Sequence, residues 1–223
     1  METDVVVALD AELSAFVAAL ARVLDRDFAR VTNCPPWTLK ELVVHVDITT
    51  RLPVRWPRGS GIPKAASEYY RRVERASSAY GQQNVERAQL AAAECASGVE
   101  AVERLARTQF DVIDRLRGED LDRVIDVPAV GPMLLRDYIA TRVVGVAAHG
   151  LDVSITLTSP PSTTQSAAAV CRPILLDLLD ADLPSSLRWT DDDLLACGTG
   201  RRPLRDPERA ALGALHSRFP LIS

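Results

Sequence analysis

Apolar residues recur at steps of three and four along most of this chain, the spacing that gathers them on one face of a helix. The first such run, from about Asp4 to Arg26, carries Leu9, Leu13, Phe16, Val17, Leu20, Val23 and Leu24. It cannot continue through Asn33-Cys34-Pro35-Pro36-Trp37, because proline lacks the helical amide and pushes the preceding residue out of helical backbone. A second helix starts at Thr38, where Glu41 three residues on completes the pattern in which hydroxyl and carboxylate satisfy each other's free amides. Trp37, just ahead of that cap, is placed to staple the turn against Leu42. Leu42, His45, Val46 and Thr49 then share a face, with Asp47 off it, so His45 points where the aliphatic side chains point. Pro53 and Pro57 end this helix near Trp56, and Arg58 to Pro63 reads as an exposed loop.

Farther on, Tyr69 to Tyr80 reads as a short helix with its polar face outward. Asn84 to Arg117 contains no proline and reads as the longest helix; a loop with Gly118, Pro128, Gly131 and Pro132 follows. The run from Leu134 to Leu157 is apolar nearly all round, as in a helix at the centre of a bundle. Its exceptions are ordered: Tyr138, Arg142, Gly145, His149 and Asp152 recur at steps of four, three, four and three, which makes them one polar stripe. Buried charges on such a helix need partners, so the stripe is expected to line a polar pocket and to face His45.

After Thr158 the composition shifts to Ser-Pro-Pro-Ser-Thr-Thr, a linker pattern. Ala167 to Leu179 reads as helix, Ser186 to Ala196 as one or two short strands, Gly198 to Arg202 as a loop and Pro207 to Arg218 as a last helix. The expected architecture is mainly α: an antiparallel four-helix bundle over residues 1–158 and a small C-terminal α+β extension over 159–223.

Composition narrows the function classes. The 223 residues are 47% hydrophobic and 25% charged with a net charge of −4, and no long basic run occurs, so nucleic acid is not an expected partner; the apolar stretches are broken by Asp, Glu or Arg well short of ~20 residues, so a membrane is not expected either. The acidic first residues are unlike a signal peptide, and a cytoplasmic location is the expectation. Cys34, Cys95, Cys171 and Cys197 form no close pair and read as reduced thiols. No GxSxG serine motif is present, Gly198-Thr199-Gly200 is too short for a phosphate loop, and His216 reads as surface.

His45 and His149 on facing helices would suit a zinc, nickel or iron ion, since the bundle fixes their separation. Taken alone, the pair reads equally as hydrogen-bonded core histidines, because catalytic zinc usually takes three protein ligands. Arg142 would hold a ligand carboxylate, or pair structurally with Asp152 or another helix's acid. Asp152 can accept an imidazole proton and so orient His149, or cap a turn. Tyr138 is a packed aromatic or a proton donor, and Arg201 belongs to a loop that either closes over the pocket or is solvated.

The segment from Asn33 to His45 resembles the CPGW-T-x-x-[DE]-L-x-x-H signature of the mycothiol-dependent maleylpyruvate isomerase family, within the DinB-like superfamily. The segment from Arg142 to Asp152 is similar to its R-x-x-E-x-x-x-H-x-x-D signature, and the endings Gly198 to Arg202 and Phe219 to Leu221 are similar to those of actinobacterial members. The resemblance implies a DinB-like four-helix bundle holding a divalent metal, usually zinc, through His, Glu and His. By position these are His45, residue 145 and His149, but residue 145 is glycine, and a glycine has no side chain to ligate. Three outcomes follow: two histidines with waters or a thiolate, a substitute carboxylate from Asp152 or Asp47, or no metal. The implied activity is that of a transferase or isomerase that uses a low-molecular-weight thiol, mycothiol, on a small electrophile. The alternative is a non-catalytic binding or regulatory protein with a degenerate metal site, and a homodimer is left open.

Overall fold

The computed structural model describes residues 4–53, 57–72, 77–160 and 162–222, so Trp56 lies outside the described residues. Eight α-helices and one strand pair make up the described elements: α1 Val5–Leu20, α2 Leu39–Thr50, α3 Ser78–Ala93, α4 Gly98–Leu116, β1 Val124–Val127, β2 Gly131–Leu134, α5 Leu135–Leu157, α6 Gln165–Leu179, α7 Asp191–Gly198 and α8 Asp206–Leu212. Helix α1 packs on α4 and α5, and α2 packs on the same two from the other side, which closes the DinB-like bundle around Leu9, Leu13, Phe16, Leu42, Leu105 and Ile139. The mainly α expectation holds.

Several boundaries follow from side chains that local periodicity does not weigh. Helix α1 stops at Leu20 instead of Arg26: Leu24, counted in the apolar stripe, is 53% exposed, and a 3-10 turn at Asp25–Ala29 buries Phe28 instead. Phe28 lies where a Cβ on Gly98 would collide with its ring, and Asp25 accepts from the Gly98 amide at 2.8 Å. The long helix expected over Asn84 to Arg117 is therefore broken. Ser97 caps α4 by accepting from the Glu100 amide at 3.0 Å, and the Glu100 carboxylate accepts from the Ala96 amide at 2.6 Å. These reciprocal bonds are a helix-start signal inside a proline-free stretch. Helix α5 is accordingly the longest, at 23 residues.

The capping box at Thr38 and Glu41 forms as expected, and α2 ends at Thr50, well before Trp56. In place of a simple loop, residues 124–134 form an antiparallel hairpin with Val127 opposite Gly131, which adopts φ +97 at the turn. Strand structure expected over Ser186 to Ala196 falls here instead, between α4 and α5. In the C-terminal segment, Thr190 and Asp193 cap each other to start α7. Helix α6 lies on α1 and α5, with α7 against α6. Of the expected short helix at Tyr69 to Tyr80, the described part is a 3-10 turn at Ala66–Tyr69 and the start of α3. The last helix expected over Pro207 to Arg218 is α8 plus a 3-10 turn at Gly213–Arg218. Among the described residues no helix is long and apolar enough to cross a membrane, and all four cysteines are free thiols.

Candidate functional site

Helices α2, α3 and α5, the 3-10 turn at Ala66–Tyr69 and two loops converge on one cavity of about 510 Å³. Helix α2 contributes His45, and α5 contributes Arg142, Gly145 and His149, whose steps of three and four keep them on one helical face. The turn before α2 contributes Cys34 and Trp37, and the loop after α7 contributes Arg201. The His45 and His149 ring centroids are 5.1 Å apart and nearly perpendicular, at 85°. The buried Trp37 lays its ring 4.3 Å from that of His45 and 6.2 Å from that of His149, so an aromatic wall backs both imidazoles.

The tautomer of His149 is set by Asp152. This carboxylate is wholly buried and its Oδ2 is 3.0 Å from His149 Nδ1. An ionised carboxylate only accepts, so Nδ1 carries a proton, and Nε2 is the nitrogen left to face a ligand. Arg201 donates to the same group twice, Nε to Oδ1 at 3.0 Å and Nη2 to Oδ2 at 2.9 Å. Burial works to raise the Asp152 carboxyl, but the hydrogen bonds from His149 and Arg201 and the Arg201 charge win, and they hold it well below the usual carboxylate range. Cys34 donates to Asp152 Oδ2 at 3.1 Å and receives Arg201 Nη2 at 3.4 Å. Burial first, and then the Asp152 charge, push its thiol up to about 12, so the sulfur is protonated at neutral pH.

Arg142 takes neither of its expected ion-pair partners among the described residues. Asp152 belongs to Arg201, and the Arg142 guanidinium instead lies over two rings, 4.6 Å from the Tyr69 centroid and 4.8 Å from that of Tyr138. Burial works against its charge, while the Tyr69, Tyr138 and Tyr70 hydroxyls favour it, and the balance raises its pKa. Tyr138 is therefore a half-buried ring packed against a cation. Asp47 is wholly buried on the other side of α2, where Arg51 Nη2 at 2.7 Å, Arg104 Nε at 2.9 Å and the Thr108 hydroxyl use its oxygens. It is not a substitute carboxylate for the histidines. His216 is exposed, as expected.

Three lining residues escaped the sequence reading. Cys34 reads in the sequence only as a reduced thiol, although it stands in the turn that positions Trp37. Tyr69 and Tyr70 fall in the expected short helix with its polar face outward, yet both are half-buried against the core, and Tyr70 donates to the Thr141 carbonyl at 2.9 Å. No local signal marks them, because their contacts cross about seventy residues of chain.

The donor set fits a divalent ion in part. An ion about 2 Å from one nitrogen of each ring, with bonds near the tetrahedral angle, sets two imidazole centroids about 5 Å apart; the observed 5.1 Å leaves room for that, and is equally the spacing of edge-to-face ring packing. Cys34, His149 and Asp152 also bring one ligand-type atom each within 4.8 Å of one another. The Asp152 oxygens are already engaged, but a divalent ion deprotonates a thiol that it binds, so the Cys34 sulfur counts with the imidazoles among the candidate donors. At Gly145 an added Cβ would meet nothing within 4 Å, which leaves open space one turn before His149.

A family model described as mycothiol maleylpyruvate isomerase N-terminal domain matches residues 8–154, from α1 to near the end of α5. No curated protein and no solved structure matches the chain. The matched span holds both histidines and ends before the loop that carries Arg201.

Proposed function

This chain belongs to the mycothiol maleylpyruvate isomerase N-terminal domain family, and on that premise we propose that it works with mycothiol, a low-molecular-weight thiol, at a divalent ion. His45 and His149 would hold the ion, zinc by preference, and the reaction is a transfer or isomerisation of a small electrophile. The observation that carries the reading is the 5.1 Å convergence of two imidazoles at the wall of a 510 Å³ pocket. A divalent ion bound there would deprotonate a coordinated thiol, supplying a nucleophile at neutral pH.

The chain's own groups set the conditions for that chemistry. Asp152 keeps the proton of His149 on Nδ1 and fixes the ring plane, which leaves Nε2 as the donor. Arg201 keeps Asp152 ionised and joins the C-terminal segment to the site. Trp37 restricts the His45 ring from one side and excludes water there. A cytoplasmic setting, where thiols stay reduced, suits the four free cysteines. Under this reading residues 1–158 form the catalytic bundle and 159–223 the piece that supplies Arg201.

The test is metal content after mild purification and zinc supplementation. Near-stoichiometric zinc in the wild type, lost in His45→Ala, is the expected result, and only trace zinc in the wild type overturns the proposal. The open space at Gly145 favours a second reading, a binding or regulatory protein that has kept the pocket and lost the metal. A wild type that takes up no zinc but still binds small ligands supports that second reading.

A further inference from the structure

We infer that Cys34 is the third protein ligand of the ion, so that two imidazoles and one sulfur make up the site in place of two imidazoles and a carboxylate. The inference rests on the reading of His45 and His149 as ligands, and adds to it the third donor and the class of ion.

Cys34 lines the cavity together with both histidines, and among the described residues it is the one cysteine that does so. Its sulfur, a His149 nitrogen and an Asp152 oxygen lie within 4.8 Å of one another. The backbone that carries it is fixed on both sides. The Cys34 amide donates to the Thr32 hydroxyl at 3.2 Å, and the Cys34 carbonyl accepts from the Trp37 amide at 3.1 Å. One turn therefore sets both this sulfur and the ring that backs the imidazoles.

Sulfur is the donor that the surrounding network releases at least cost. Asp152 is held by His149 and by two donors of Arg201. Cys34 gives up a single thiol bond to that carboxylate, at 3.1 Å, and the other three stay made. As the sulfur binds an ion its proton passes to solvent, and Arg201, whose Nη2 stands 3.4 Å from the sulfur, supplies a second cation beside the thiolate. Donors that share one tetrahedral zinc stand about 3.5 Å apart, and a rotamer change carries a cysteine sulfur about 3 Å. Coordination thus leaves the backbone bonds of the turn in place.

Catalytic zinc usually takes three protein ligands and keeps a further position open. With Cys34 as the third ligand, the space beside Gly145, where an added Cβ meets nothing within 4 Å, is left for a small-molecule ligand. A thiolate among the donors also selects the ion: zinc or cobalt is favoured over manganese or magnesium, which suit carboxylate sets.

Cobalt(II) added to the full chain in thiol-free buffer tests this, because its absorption reports sulfur ligation directly. The expected spectrum contains a near-ultraviolet sulfur-to-cobalt band that Cys34→Ser removes. Zinc affinity in that variant should fall at least about a hundredfold, the upper end of what a merely orienting group is worth. Cobalt that binds without the band, or a band that survives Cys34→Ser, overturns the inference and leaves the histidine reading standing. No uptake of cobalt or zinc overturns both. If Cys34→Ser does not fold, alkylation of the wild type mapped by mass spectrometry decides: Cys34 shielded from iodoacetamide by cobalt supports the ligand, and equal labelling with and without the ion overturns it.

Discussion

Replacing Gly145 by glutamate asks whether the two imidazoles share one ion. The backbone there is ordinary helix, and an added Cβ has no neighbour within 4 Å, so the substitution fits without repacking. Glutamate is a better helix former than glycine by about 0.5 kcal/mol, which for a chain of this size raises the metal-free Tm by roughly 1–2 °C. The new carboxylate stands one turn before His149, on the same face. A group that only orients a ligand is worth about 10–100-fold in metal affinity, so a direct ligand should gain at least ~100-fold, or about 2.7 kcal/mol. Competition with a chromophoric chelator at fixed pH measures this gain. The gain should vanish when His45→Ala is added, because the three donors act as a unit. A gain below about tenfold, or one that persists without His45, would refute the reasoning, since the rings would then not converge on a common ion. Zinc affinity in the parent equal to that of Gly145→Glu would rule out the degenerate-site reading.

Two further outcomes concern charges away from the histidines. Asp47→Ala should cost about 2–3 kcal/mol in urea denaturation, because it removes a buried carboxylate that takes charge-assisted hydrogen bonds from Arg104, Arg51 and Thr108 while the arginines can turn to solvent; zinc content should not change, and lost zinc at full stability would contradict the placement of Asp47. Glu208 is held at about 2, below its ordinary 4.5, first by the Arg202 hydrogen bond, against burial, and then by the Arg205 amide and Trp189. A carboxyl depressed in the folded state stabilises above its unfolded value and loses that contribution as pH falls. The Tm gap between wild type and Glu208→Gln should therefore be full above 4.5 and close as pH approaches 2; a gap independent of pH would refute the assignment.

The site was legible in the sequence where its geometry is local. The stripe on α5 follows from helical spacing alone, and His45 follows from its place among the aliphatic positions of α2. What pairs with what did not follow. Asp152 meets Arg201 across 49 residues and Cys34 across 118, and no periodicity encodes such contacts. Arg142 illustrates the same limit: the sequence offers acids for it, and the fold gives those acids to other arginines. The helix break at Ser97 was written in the chain, as a serine followed three residues later by glutamate, but a proline-free run of helix formers hid it. The strand pair was also present, as Val124 to Leu134 around Pro128 and Gly131, and was read as a loop because each strand is only four residues long.

The pairing of Asp152 decides how a metal could be completed here. Its two oxygens already take His149, two donors of Arg201 and the Cys34 thiol, in a space closed to water. Moving it onto an ion would release the proton of His149 from its acceptor and leave Arg201 without its counter-charge. Each of those losses works against the bond gained, since removing one partner of a buried charged pair costs several kcal/mol. Among the described residues the fold thus offers no carboxylate of its own for the gap at Gly145. A third donor would have to come from the Cys34 sulfur, from solvent or from the ligand, and a thiol that brings its own sulfur to two oriented imidazoles would meet that requirement without disturbing the buried network behind them.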